Sequence, residues 1–495
     1  MPRLNYKIIL LFLAILLAYY LLRLQNLQSI PIFGDEAIYL RWSQLIKNVD
    51  TLKFVPLSDG KQPLYMWLTA VLLKFIPDPL MAGRLLSVIF GSLAVSTIFV
   101  IGLLFFNLPV AFISSLVYLF LPFSFFFDRL ALPDNQLSFL GVLSLLFSLL
   151  LAKYPRLDLS FILGAVLGIS WLTKSPAIYF IFLSFITFLF RWPKNLKRLY
   201  FPIISSIIAF LIYNILRLGP QFSQIAIRNL DYVWSFSELL KHPLDPLKPH
   251  LFDIFHLYRQ YISFPLITVG LAGFVLSREK LKINLNAIVI FLWWILPLLA
   301  NAIMAKTFTA RYILYTLPSF ILLLSLGVYY FLIISRKFFQ SLILKTIIIL
   351  ICIFPNLFWI YRISYHPFTV NLPSTETGYI SDWTSGWGIK SASQYLINRS
   401  QYANIIVGTE GYFGTLPDGL QIYTDSLKQL TVFGVGIDLT QIPEKLINAR
   451  NYGDEVYLLI NQSRLKLTSS EQSKVSLIES YPKPNHDFLL LYRLN

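Results

Sequence analysis

Runs of about 20 apolar residues recur along the chain, each long enough to cross a bilayer core as a helix. Short gaps between them hold much of the Lys and Arg. The pattern predicts spans at 6–24, 84–106, 108–127, 136–153, 158–173, 176–191, 199–217, 261–277, 286–304, 312–335 and 343–361, about 11 transmembrane helices. Helices are expected because only helices or closed barrels satisfy the backbone in lipid, and these runs are too long and too apolar for barrel strands. Two intervening segments exceed a simple connection. The first, 25–83, contains the amphiphilic piece Pro63–Ile76, expected to lie as a helix at the interface. The second, 218–260, is amphipathic and ends in the proline-rich HPLDPLKPH.

Beyond residue 365 the long apolar runs stop and Gly, Asp, Ser and Thr rise. Strands are expected at Asn404–Val407, Gln421–Tyr423, Leu430–Phe433, Val456–Ile460 and Phe488–Tyr492, alternating with helices at Ile389–Asn398 and Ser469–Ile478. The expected fold class is a membrane all-α multi-span domain over 1–365, followed by a small C-terminal extracytoplasmic α/β domain over 366–495.

Composition agrees with this division. Of the 495 residues 56% are hydrophobic and 13% charged, against roughly 25% charged in soluble domains. The net charge of +16 does not point to nucleic acid, because its cations sit between apolar runs. With the N-terminus (Arg3, Lys7) in the cytoplasm, the short basic loops share its side: Lys153/Arg156, Arg191/Lys194/Lys197/Arg198, Arg278/Lys280/Lys282 and Arg336/Lys337/Lys345. The basic start and apolar run of residues 1–24 read as an uncleaved signal anchor. The expected location is the inner or plasma membrane, with segments 25–83 and 218–260 and the C-terminal domain outside. Cys352 is the single cysteine, so no intrachain disulfide forms.

The same topology gathers charged residues at the outer ends of the spans: Asp35, Glu36, Lys61, Arg84, Asp128, Arg129, Asp134, Lys174, Lys306 and Arg311. Charge at such a depth is costly unless it faces water or meets a partner. Asp35–Glu36 reads either as a helix-capping pair or as a general base for an acceptor hydroxyl. Adjacent residues diverge on either a strand or a helix, so Asp35 is the first choice and Glu36 an orienting group. Asp128 and Arg129 read as an internal ion pair or as site residues, Arg129 suiting bidentate phosphate binding. Lys174 and Arg311 could equally snorkel to the interface. Together with Lys61 these cations suit a phosphate leaving group. The histidines His242, His250, His256, His366 and His486 lack metal-ligand spacing, and no Walker loop, dinucleotide fingerprint or nucleophile elbow occurs.

The stretches GDEAIY, KQPLYMWL, GRLLSVIFGSLAVSTIFVIG, DRLALPDNQLSF, WLTKSP and RYILYTLPS follow one another in that order. In this order they resemble the bacterial branch of the protein O-mannosyltransferase and lipid A aminoarabinose transferase family, with the GT-C fold, over roughly residues 5–335. The resemblance implies an inverting glycosyltransferase with a polyprenyl-phosphate-linked sugar donor and a protein, lipid or glycan acceptor. It maps the acid beside the reacting centre to Asp35, the phosphate-contacting lysine to Lys61, and two further site residues to Arg129 and Asp134. Some members carry an arginine shortly after the acid pair; Ile38 stands at that offset here, and Arg41 is the candidate to replace it. The KPP form of the lysine motif is KQP in this chain. No cofactor is required, although a divalent metal at Asp35–Glu36 is compatible with the chemistry. The rival readings are a lipid-linked sugar transporter or flippase, and a non-catalytic envelope-glycan receptor.

Overall fold

The computed structural model describes residues 5–192, 196–241, 244–276, 284–338, 342–451 and 455–495. Arg3, Lys194, His242, Arg278, Lys280 and Lys282 lie outside the described residues. In chain order the first helices are α1 (Tyr6–Leu24), α2 (Gly34–Asn48), α3 (Leu64–Leu72), α4 (Pro79–Phe105), α5 (Leu108–Phe120), α6 (Pro122–Phe127) and α7 (Pro133–Lys153). There follow α8 (Leu157–Thr173), α9 (Ile178–Arg191), α10 (Tyr200–Tyr213), α11 (Gln224–Tyr232), α12 (Phe236–Lys241), α13 (Leu247–Tyr261) and α14 (Phe264–Leu276). The last long helices are α15 (Leu285–Met304), α16 (Leu317–Phe338) and α17 (Leu342–Tyr365). Then come α18 (Ile389–Ser400), β1 (Ile405–Glu410), α19 (Asp418–Thr424), β2 (Leu430–Gly436) and α20 (Glu444–Asn451). The chain ends with β3 (Glu455–Asn461), α21 (Ser469–Gln472), β4 (Val475–Pro482) and β5 (Phe488–Leu494).

Two compact units result. The first is Met1–Gln25, Thr51–Leu68 and Arg84–Tyr361; the second is Asn26–Asp50, Thr69–Gly83 and Arg362–Asn495.

The first unit is helical. Among the described residues 6 helices are long and apolar enough to cross a membrane, or up to 7 if the bent pair α13–α14 counts as one span. The expected count of 11 is therefore not confirmed, although each predicted run contains a helix. Leu108–Phe120, Leu157–Thr173, Ser175–Arg191 and Leu350–Tyr365 are apolar but shorter. Proline accounts for two of the breaks. Leu121, which precedes Pro122, is extended at φ −79°, ψ 125°, as a residue before proline prefers, and this splits the predicted 108–127 run. Pro265 lies in the first turn of α14, which bends 106° from α13; proline fits a first turn but not a helix interior. Elsewhere small residues allow close packing. A Cβ on Gly273 of α14 would lie 1.8 Å from the Gly327 carbonyl oxygen of α16, so the two backbones touch where a side chain would hold them apart.

The second unit carries a five-stranded sheet in the order β2-β1-β3-β5-β4. β1 pairs in parallel with β2 and β3, whereas β5 is antiparallel to both β3 and β4. Parallel neighbours require a crossover, and that requirement accounts for the first of two overturned expectations. Gln421–Tyr423, expected as a strand, lies in the crossover helix α19. Ser469–Ile478, expected as a helix, holds one short helix and then enters the edge strand β4. Leu446, Val456, Leu458 and Ile460 centre the core of this sheet. Trp383 and Trp387 pack within the unit: Arg464 lies 4.2 Å from the Trp383 ring centroid, and the Trp387 indole donates to the Ile380 carbonyl at 2.7 Å.

A polar knot sits at the carboxyl ends of β1 and β3. Lys483 donates to Asn461 Oδ1 at 2.6 Å, and the Asn461 amide donates to Glu410. Burial holds the Lys483 ammonium down at about 8 against the attraction of Asp487 and Glu410. The unfolded chain therefore binds more protons between about pH 8 and the ordinary lysine pKa of ~10.4, so stability rises with pH across that window. Domain stability should increase by up to ~3 kcal/mol there, read as the urea midpoint for proteolysis of the C-terminal domain. Lys483→Met should flatten the rise; an unchanged slope would show that Lys483 does not cause it.

Candidate functional site

In the first unit the segment after Asp59 is set by a tight turn. The 3₁₀ turn Val55–Asp59 closes on Gly60 at φ 67°, a left-handed conformation that favours glycine. A Cβ there would lie 2.7 Å from both Arg228 Cβ and the Gln224 carbonyl oxygen. The Lys61 amide then donates to the Pro56 carbonyl at 3.0 Å. Its ammonium donates to the Tyr232 hydroxyl at 3.1 Å and sits 4.5 Å from that ring's centroid. Among the described residues no carboxylate lies within ion-pair distance of Lys61. A ring face attracts a cation without neutralising it, so the lysine keeps its charge available.

Two side chains fasten the same segment. Gln62 donates to the Ser175 hydroxyl at 2.7 Å, and the Tyr65 hydroxyl meets that of Ser87 at 3.0 Å. Lys174, next to Ser175, pairs with Asp134 at 2.6 Å in the first turn of α7. Asn135 returns to the Ser87 carbonyl. A closed circuit of contacts thereby joins the 61–65 segment, the α8–α9 turn, the start of α7 and α4. Lys174 and Arg311 both lie over the Tyr312 ring, 5.1 and 5.3 Å from its centroid. The stretch holding Tyr232 is fixed to the one after α15: the Lys306 amide donates to the Tyr232 carbonyl at 2.8 Å, and its ammonium to that of Leu230 at 2.8 Å. Neither Tyr232 nor Tyr312 was singled out from the sequence; an aromatic beside a charged residue in an outer segment was the signal available.

Three arginines of this unit, Arg23, Arg84 and Arg129, are fully buried. Arg129, in the turn between α6 and α7, donates to the Gln25 carbonyl at 3.0 Å. Burial first, and then the charges of Arg84 and Arg23, pull its guanidinium down to about 9, still cationic at neutral pH. Cations converging in this way favour an incoming anion. Asp128 pairs with Arg23 at 3.0 Å and accepts the hydroxyls of Tyr19 and Tyr118, each at 3.0 Å. Its place in this network identifies it as a buried brace tying α1 to the α6–α7 turn. Removing one partner of a buried pair costs ~3–5 kcal/mol. Asp128→Asn should accordingly lower the melting temperature in detergent. Unchanged melting with lost activity would instead make Asp128 a site residue.

The acid pair lies in the second unit, where the structure separates its members. Glu36 is fully buried and accepts the Phe33 amide at 3.0 Å, so it caps α2. Asp35, in the same first turn, is half-buried. The start of α2 is fixed by Gly386, whose amide donates to the Ile32 carbonyl at 2.7 Å. Arg41, one turn on, is ion-paired with Asp425 and reaches Gln44 at 3.4 Å, so a phosphate there would compete with a carboxylate. Among the described residues no group of three or more His, Cys, Asp or Glu could hold a metal ion.

Residues 60–217 match the family model for dolichyl-phosphate-mannose-protein mannosyltransferase. Comparison with curated proteins finds no match. Among solved structures, ArnT from Cupriavidus metallidurans bound to undecaprenyl phosphate aligns over 98% of this chain and 97% of its own, at 13% identity and TM-score 0.58. Its apo state aligns over the same shares at 16% identity and TM-score 0.58. The oligosaccharyltransferase AglB from Archaeoglobus fulgidus, in complex with an inhibitory peptide and a dolichol-phosphate, aligns over 92% of this chain and 69% of its own, at 11% identity and TM-score 0.53. With its apolar helices and its small C-terminal sheet domain, the chain is a multi-pass membrane protein that shares the GT-C fold of ArnT and AglB, and its residues 60–217 are similar to the dolichyl-phosphate-mannose-protein mannosyltransferase model.

Proposed function

We propose that the protein is a glycosyltransferase that moves a sugar from a polyprenyl-phosphate donor to a hydroxyl of a protein, lipid or glycan acceptor at the extracytoplasmic membrane face. The observation that carries this reading is Lys61, an ammonium held by Tyr232 with no described carboxylate in reach. It lies inside the segment that matches the mannosyltransferase model. In the proposed step Asp35 accepts the acceptor's hydroxyl proton as that oxygen attacks the anomeric carbon. The bond from that carbon to the phosphate oxygen breaks, its electron pair leaves with the lipid phosphate, and the anomeric centre inverts. Lys61 and Arg129 stabilise the departing charge. Lys174 and Arg311 join them once the phosphate displaces part of the Lys174–Asp134 contact, while Glu36 orients Asp35 by fixing the first turn of α2. Arg84 and Asp134 support this arrangement from α4 and α7.

The test is transfer in nanodiscs from radiolabelled polyprenyl-phosphate sugars to a panel of hydroxyl acceptors. The expected result is labelled product of inverted configuration together with free lipid phosphate. A retained configuration would sink the single displacement. No release from any donor, with lipid binding intact, would sink the transferase itself. The bent pair α13–α14 gives the transporter reading some support, but inverted-repeat transporters place broken helices in both halves, and only one such pair is found among the described residues.

A further inference from the structure

We propose that the ends of α4, α7 and α9 and the start of α15 form a second anion site, one that holds the phosphate of an anionic membrane phospholipid. A cavity of about 250 Å³ opens there, lined among others by Phe105, Lys153, Thr187, Arg191 and Asn286. Lys153 and Arg191 bring two positive charges to it, and none of its described lining residues is an acid. The Lys153 ammonium lies 5.6 Å from the Phe105 ring centroid and 5.3 Å from that of Tyr154. These rings fix its position without cancelling its charge.

The α15 end adds to this potential. Asn284 caps the helix by accepting the Asn286 amide at 3.0 Å, and the positive end of this 20-residue helix faces the same space. Asn286 also points its side-chain amide at the Phe105 carbonyl, at 3.4 Å. By contrast, the neighbouring Arg156 has its own carboxylate, Asp158, at 2.7 Å. Two cations at one cavity repel each other, and an anion between them turns that repulsion into attraction.

This site is separate from the one that holds Lys61. α7 carries Asp134 in its first turn and Lys153 in its last. Its 21 residues place those ends about 30 Å apart, at ~1.5 Å per residue. A lipid suits the cavity better than free phosphate for two reasons. Its lining includes Leu104 and Leu149, and Phe182 and Phe190 of α9 stand exposed, 61% and 45%, leading up to Arg191. Acyl chains can lie along that face while the headgroup meets the cations.

The experiment uses the full chain purified in detergent and exchanged into nanodiscs of phosphatidylcholine containing a minor fraction of phosphatidylglycerol. Lipid retained after delipidation is then counted by native mass spectrometry. Phosphatidylglycerol should remain bound to wild type, fall at least tenfold in K153Q/R191Q, and stay unchanged in R156Q. Both cations are solvent-exposed, so the double variant should fold; K153Q alone, with a smaller loss expected, serves if it does not. Equal retention by the double variant would overturn the proposal, as would an equal loss in R156Q, which would mean general surface charge. Protection from heating by inorganic phosphate without any lipid retention would overturn the lipid assignment.

Discussion

Asp35→Asn is expected to reduce sugar transfer by ~10²–10⁴-fold, the usual contribution of a positioned general base, while donor lipid binds as before. The asparagine keeps the shape and the helix-starting character of the first turn of α2 but cannot accept a proton. Measured turnover and donor affinity should therefore separate, with turnover lost and affinity kept. Glu36→Gln provides the contrast. Glu36 accepts the Phe33 amide, so its loss acts through a cap worth ~0.5–2 kcal/mol and should lower stability together with activity. Turnover unchanged in Asp35→Asn would move the base elsewhere. Glu36 and Asp134 would then be tested next, although each already has a partner, the Phe33 amide and Lys174.

Lys61→Met should cost ~10²–10³ in transfer, the range found when one preorganised stabiliser of developing charge is removed. Methionine keeps the unbranched stem against the Tyr232 ring and deletes only the ammonium. The loss is expected in kcat more than in KM, because charge on the phosphate grows as the sugar departs. Tyr232→Phe removes a hydroxyl that accepts one hydrogen bond at 3.1 Å, so it should cost less than Lys61→Met, since the ring face remains. Wild-type transfer by Lys61→Met would refute the phosphate role. Lys61 is the more informative position than Arg129, because Arg129 is fully buried and its replacement would confuse catalysis with folding.

Much of the molecule was readable along the chain. Solvent-avoiding runs must be helical in lipid, whatever their neighbours, so each predicted run could be placed before any contact was known. The change of composition past residue 365 announced a separate kind of structure, and the short strand-like runs at Asn404–Val407 and Val456–Ile460 announced strands that form as Ile405–Glu410 and Glu455–Asn461. The continuity of the spans was harder to read. Pro122 marks a break within a run that hydropathy alone treats as whole, and apolar length does not reveal a bend such as that between α13 and α14. Gln421–Tyr423 carries the apolar residues of either a short strand or a short helix. The parallel pairing of β1 with β2, which calls for a crossover between them, is what makes it helical.

The sequence by itself determined the membrane class, the places where helices form, the presence of an α/β region and the charged residues from which a site could be made. All of these follow from composition and local period, which depend on solvent and backbone alone. The tertiary structure decided which charges neutralise one another and which stay available. Arg23 meets Asp128 across 105 residues, and Lys61 meets Tyr232 across 171. No local pattern encodes such pairings, because the strength of an ion pair depends on the distance and burial that the folded chain imposes. For the same reason an acid pair that looks symmetrical in sequence resolves into Glu36 as a buried cap and Asp35 as the half-buried neighbour.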